Sequence, residues 1–142
     1  VQDGFEGVLL RFLRKGKEVE IQYAAARRPI WHRSKQGLIS CPRDLQSVGP
    51  SDLRVIKTSS SFTLYTLQVE PGDWLYFSTD GYIDQLGGEK GKRFGTRSFE
   101  KLLEELSGLS GAQQVQKLDE TLQAWRGIFP QVDDVLVVGV QI

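Results

Sequence analysis

The sequence predicts a layered α+β fold in which helices cover a mostly antiparallel sheet. Three observations lead there. The first half alternates apolar and polar residues with the period of two that marks half-buried strands. From Phe99 to Trp125 the period switches to that of helices. A last, nearly all-apolar run from Val135 to Ile142 returns to strand. Strands, two helices and a closing strand are the pattern of a sheet with helices packed on it.

The elements follow in order. An apolar stretch runs from Phe5 to Leu13, and Arg14-Lys15-Gly16-Lys17 turns the chain with Gly at the position needing positive φ. Val19, Ile21 and Tyr23 then alternate with Glu18, Glu20 and Gln22, completing a hairpin. Pro29–Arg33 and Gly37–Cys41 read as two short strands around Ser34-Lys35-Gln36, and Pro42–Pro50 as loop. Phe62–Val69 is a strand ended by Glu70-Pro71-Gly72-Asp73, a type II turn signal. The following strand, Trp74–Thr79, is apolar on both faces, which predicts a central position, and it stops at Asp80-Gly81. Phe99, Leu102, Leu103 and Leu106 form a helical stripe capped by Thr96 or Ser98 and ended by Gly108. Ser110 opens a second helix with Val115, Leu118, Leu122 and Trp125 on one face; Gly127 and Pro130 close it.

Composition excludes several classes. The 142 residues suffice for one core, and 18 basic against 18 acidic residues leave no global field for nucleic acid or an anionic membrane. No stretch reaches the ~18 apolar residues of a membrane span, and no signal peptide opens the chain. The lone Cys41 excludes an internal disulfide and fits a reducing cytoplasm. The absence of Met and the opening on Val1 read as a fragment of a longer protein.

Candidate chemistry emerges by elimination. His32 is the sole His, too few for a zinc site and without a marked Ser or Cys partner, so it reads as structural or exposed. Cys41 reads as a packing or surface residue. Gly87-Gly88-Glu89-Lys90-Gly91-Lys92-Arg93 lacks phosphate-loop spacing, with Arg93 where Ser or Thr would bind magnesium; a solvated loop is expected. The carboxylates are better placed. Asp80 ends one buried strand and Asp133 precedes another, so antiparallel pairing of the two strands brings both to one sheet edge. Carboxylate oxygens suit hard cations such as magnesium and manganese. Turn and cap roles are the plainer alternative for both.

Read together, Tyr76-Phe77-Ser78-Thr79-Asp80-Gly81-Tyr82-Ile83-Asp84-Gln85 and Gln131-Val132-Asp133-Asp134-Val135-Leu136-Val137-Val138-Gly139-Val140 resemble the protein phosphatase 2C superfamily. The resemblance is to its bacterial branch typified by stage II sporulation protein E. Gly87–Gly95 and Trp125-Arg126-Gly127 are similar to the versions at the C-termini of bacterial sensor proteins. Tyr23-Ala24-Ala25-Ala26-Arg27-Arg28-Pro29 is similar to the family's Tyr-x-x-Ala-x-x-Pro stretch, with Arg27-Arg28 replacing the common Gly-His.

The resemblance implies an antiparallel β-sandwich flanked by helices, with residues 1–142 the C-terminal portion of one phosphatase domain. It implies two Mn²⁺ or Mg²⁺ ions at one edge, Asp80 and Asp133 as ligands, and Gly81 turning the backbone tightly beside them. Asp134 stands where relatives often have Asn. Tyr82, Asp84 and Gln85 fall where a regulatory helix could follow the metal turn, a plain surface helix being the other reading. The implied reaction is hydrolysis of phosphoserine and phosphothreonine in a protein substrate by a metal-activated water, at the cytoplasmic output end of a bacterial protein with an upstream sensor region.

The family's earlier ligands, on an N-terminal strand and an Asp-x-x-Gly-His-Gly turn, have no counterpart here; Asp3-Gly4 matches a later strand start instead. Weak metal binding, an inactive isolated chain and self-association through uncovered sheet are therefore expected. The competing expectations are a non-catalytic phosphatase-like module that binds a phosphoprotein or a regulator, and a small-molecule- or calcium-binding β-domain using the acidic loop near Asp84 and Glu89.

Overall fold

A computed structural model describes residues 4–49 and 61–142. Val1, Asp3 and Pro50, which entered the expectations above, lie outside the described residues. The chain divides into two compact units. Of the described residues, one holds 4–35, 39–49, 61–77 and 140–142; the other holds 36–38 and 78–139.

In the first unit the alternation of apolar residues forms a hairpin of two nine-residue strands, β1 (Gly7–Lys15) with β2 (Glu18–Ala26). Lys15 pairs with Glu18, so the turn is only Gly16-Lys17, and Gly16 sits at φ 64°. Both flanking positions expected in the turn are strand. Next come β3 (Ile30–Ser34) and β4 (Gly37–Ser40), close to their predicted bounds. Strand β5 (Tyr65–Val69) starts three residues later than predicted and pairs antiparallel with β2, Val19 opposite Val69.

The Pro71-Gly72 turn forms as its sequence dictates. Gly72 lies at φ 96°, and the Asp73 amide donates to the Glu70 carbonyl at 3.0 Å. It delivers β6 (Trp74–Ser78), antiparallel to β3 with Trp31 opposite Tyr76. The last strand is β9 (Val137–Gln141). One sheet runs β1-β2-β5 and the other β4-β3-β6-β9, so β6 is central as its two apolar faces predict. Between the sheets, Ile21, Tyr23 and Ala25 of β2 pack with Ile30, Cys41 and Leu75. Every second residue of β2 thus faces the core, which fixes the register, because a one-residue slip would expose the whole set.

Two buried polar groups in this unit satisfy each other. His32 Nε2 lies 2.7 Å from Asp73 Oδ2, which also accepts from the Glu70 amide at 3.0 Å. The Asp73 carbonyl accepts from the Ile142 amide at 2.9 Å. His32 is therefore structural, one of the two roles its isolation allowed.

Cys41 is buried, and burial pushes its thiol from the ordinary 9.0 up to about 11. The unfolded chain loses this proton first, so the associated stability is complete below pH 9.0 and disappears as pH rises through about 11. Urea melts across that range should show a steeper stability loss in the wild type than in Cys41→Ala.

The second unit begins with α1 (Gly81–Asp84), followed by a small hairpin, β7 (Leu86–Gly87) with β8 (Lys92–Arg93). The glycine-rich segment expected as a solvated loop is thus built structure. The Gly88 amide donates to the Trp125 carbonyl at 2.9 Å, and a Cβ on Gly87 would lie 2.1 Å from that oxygen. Helix α2 (Thr96–Glu105) buries Phe99, Leu102 and Leu103 as predicted, but its N-cap is Gly95 at φ 86° rather than Thr96 or Ser98.

Helix α3 (Gly111–Arg126) starts at Ser110, as predicted, with a full capping box: the Gln113 amide donates to Ser110 Oγ and Gln113 Oε1 accepts from the Ser110 amide. Its buried stripe differs. Val115 is 68% exposed, and Gln114 takes the inward position, its amide donating to the Leu109 carbonyl at 3.1 Å. A satisfied amide tolerates burial, so hydropathy misplaces this one position; Leu122 is buried and Leu118 and Trp125 half-buried, as predicted. Tyr82 anchors this unit: its ring meets Phe94 and Phe99 with centroids 5.3 and 5.0 Å away, and its hydroxyl donates to the Leu118 carbonyl at 2.7 Å. The chain is α+β with antiparallel sheets, the predicted class.

Candidate metal-binding turn and its relatives

The predicted site residues Asp80, Gly81 and Asp133 all fall in the second unit. Where β6 ends, Thr79 acts as a clasp. Its amide donates to the Leu136 carbonyl at 3.0 Å, its hydroxyl donates to the Asp134 carbonyl at 2.7 Å, and the same oxygen accepts from the Leu136 amide at 2.9 Å. Three bonds join two turns 55 residues apart in sequence. The hydroxyl's role was not legible beforehand; a Thr at a strand end signals only a good strand former.

Gly81 completes the contact. A Cβ there would stand 2.3 Å from the Asp134 oxygen and 2.8 Å from its carbonyl carbon. The requirement for glycine is thus one of space at the junction of the two turns.

The structure sets the turn that carries Asp80 against the backbone of Asp134 and Leu136, next in sequence to Asp133. Asp80 is half-buried at the N-cap of α1, where its backbone carbonyl accepts from the Asp84 amide at 2.8 Å. Its side chain makes no capping hydrogen bond to the helix. Asp133 is exposed, and its Oδ1 accepts from the Asp134 amide at 2.7 Å, a local turn bond. Gln131 donates to the Asp133 carbonyl at 2.9 Å. Asp134 serves the junction through its backbone oxygen.

Hard-oxygen donors of this kind fit a divalent cation in type. The set is partial: among the described residues no group of three or more His, Cys, Asp or Glu side chains could hold a metal ion. Of the neighbouring acids, Asp84 is engaged by Arg93 at 3.2 Å. No helix among the described residues is long and apolar enough to cross a membrane.

Residues 5–142 match the sequence profile of the family described as stage II sporulation protein E (SpoIIE). The chain belongs to the SpoIIE family. Solved structures agree with this at the level of fold. The SiaA-PP2C domain of Pseudomonas aeruginosa superposes with a TM-score of 0.75 at 24% identity, over 87% of this chain and 46% of that one. The phosphatase domain of SpoIIE from Bacillus subtilis, presoaked with Mn, gives 0.65 at 15% identity over 96% and 56%. The serine/threonine phosphatase PstP/Ppp of Mycobacterium tuberculosis gives 0.54 at 16% identity over 95% and 59%. This SpoIIE-family chain therefore spans about half the length of the solved structures it matches. No curated protein matches it.

Proposed function

We propose that residues 1–142 are the C-terminal portion of one SpoIIE-type phosphatase domain that hydrolyses phosphoserine and phosphothreonine in a protein substrate. In this reading it is the cytoplasmic output end of a bacterial sensory protein, and Asp80 and Asp133 are ligands to Mn²⁺ or Mg²⁺. The observation carrying the proposal is the clasp: in a SpoIIE-family chain, Thr79 and Gly81 lock the Asp80 turn onto Asp134, next to Asp133.

Bound Mn²⁺ or Mg²⁺ would supply Lewis-acid polarisation of phosphoryl oxygens and acidify a water toward neutral pH. The chain's own residues prepare for this. Asp80 and Asp133 supply hard, anionic oxygen; Gly81 lets the backbones approach; the Thr79 hydroxyl fixes the spacing between the turns. Two carboxylates fall well short of the roughly six oxygens such ions take, so the remainder comes from water, the phosphoryl group or other residues of the complete domain.

Calorimetric titration of this chain with Mn²⁺ should therefore show binding weaker than ~10 μM. Asp80→Asn and Asp133→Asn should each weaken it further. Binding unchanged in both variants overturns the ligand assignment.

A further inference from the structure

Among the described residues, Arg27 is the one non-glycine residue at positive φ, 60°. The Arg28 amide donates to the Ala26 carbonyl at 2.7 Å, closing an i→i+2 turn around Arg27. A γ-turn with positive central φ is rare and strained, and such strain gathers at functional positions. The surroundings enforce it. The Arg27 amide donates to the Asp44 carbonyl at 2.8 Å, the Asp44 amide to the Ala25 carbonyl at 2.9 Å, and Arg27 Nε to the Leu45 carbonyl at 3.1 Å.

The product of this turn is a fork. Arg27 Nη1 donates to Glu6 Oε1 at 3.2 Å and Arg28 Nη2 to Glu6 Oε2 at 2.5 Å, so two adjacent guanidinium groups close on the two oxygens of one carboxylate. Side-chain exposure is 55% for Arg27, 24% for Arg28 and 26% for Glu6, so the fork is reached from solution mainly on the Arg27 side.

We propose that Arg27 and Arg28 form a receptor for a phosphate-monoester dianion, with Glu6 as an internal occupant that the ligand displaces. A phosphate offers greater charge and a third acceptor oxygen, and planar guanidinium groups match its geometry where an ammonium does not. The assignment rests on the first unit alone and is independent of whether Asp80 and Asp133 bind metal.

The test is an NMR titration of the chain in the presence of a chelator, which silences any metal site. The titrants are inorganic phosphate, a phosphoserine peptide and the same peptide unphosphorylated. Both phosphate-bearing titrants should shift the Arg27, Arg28 and Glu6 signals at millimolar concentration. Glu6→Gln should tighten binding about fivefold by removing the competing charge, and Arg28→Lys should weaken it about tenfold. Arg27→Gly separates recognition from folding: it accommodates φ 60° without strain and should keep its melting temperature while losing about tenfold in affinity.

Tighter binding of the phosphopeptide than of inorganic phosphate identifies a phosphorylated protein as the ligand source. Equal binding identifies free phosphate. Either supports the fork. Absence of shifts at these residues, equal affinity across wild type and variants, or equal binding of the unphosphorylated peptide overturns it.

Discussion

Gly81→Ala should destabilise the second unit by about 3 kcal/mol, near the upper end for forcing extra volume into a packed site. The added Cβ would lie 2.3 Å from the Asp134 carbonyl oxygen, which is itself held by the Thr79 hydroxyl at 2.7 Å. No flexible side-chain end is available to give way; one of the two turns must move, breaking at least one Thr79 bond. Gly72→Ala supplies the yardstick. Gly72 has φ 96° but nothing within 4 Å of its would-be Cβ, so its cost is conformational only, about 1–2 kcal/mol. Urea melts of both variants decide the matter: equal losses would mean that crowding at the clasp is absent. Mn²⁺ titration of Gly81→Ala should show weakened binding as well, because the displaced turn carries Asp80.

The second large effect follows from the proposed phosphatase function and concerns turnover in the longer protein which that proposal supposes. Asp80→Asn and Asp133→Asn should each lower Mn²⁺-dependent hydrolysis of a phosphoserine peptide by ~10²-fold or more, since even the loss of groups supporting a metal ligand costs 10–100-fold. Asparagine keeps the shape and one carbonyl oxygen, so the change isolates the charge. Asp134→Asn is the matched comparison. Its contribution to the clasp is a backbone carbonyl that the substitution preserves, and its activity should stay within about tenfold of wild type. Near-normal turnover in either Asp80→Asn or Asp133→Asn sinks the catalytic assignment.

Much of this architecture is written locally. The β1–β2 hairpin follows from apolar residues at every second position, and the start of α3 from Ser110 with Gln113 three residues later. The central position of β6 follows from its two apolar faces. What failed depends on partners distant in sequence. The Gly87–Arg93 segment has the composition of a loop and becomes a hairpin because Trp125 takes its amide and crowds its glycine. Gln114 displaces Val115 from the buried face because the Leu109 carbonyl satisfies its amide. Thr79 gains its importance only when Asp134 arrives from across the unit. Periodicity reports burial on average; it carries no information about which polar atom will find a mate.

The His32–Asp73 pair has a consequence for how this sequence can drift. Each side chain is almost wholly enclosed, and each is the other's counterpart at 2.7 Å. Losing the imidazole leaves the enclosed carboxylate with the Glu70 amide alone, and losing the carboxylate takes the 2.7 Å partner from an enclosed imidazole, so either single step is destabilising. Two apolar residues of matching volume, introduced together, avoid an enclosed lone partner and leave only the Glu70 amide to be satisfied anew. Inheritance should therefore treat positions 32 and 73 as a single locus, altered jointly or left alone.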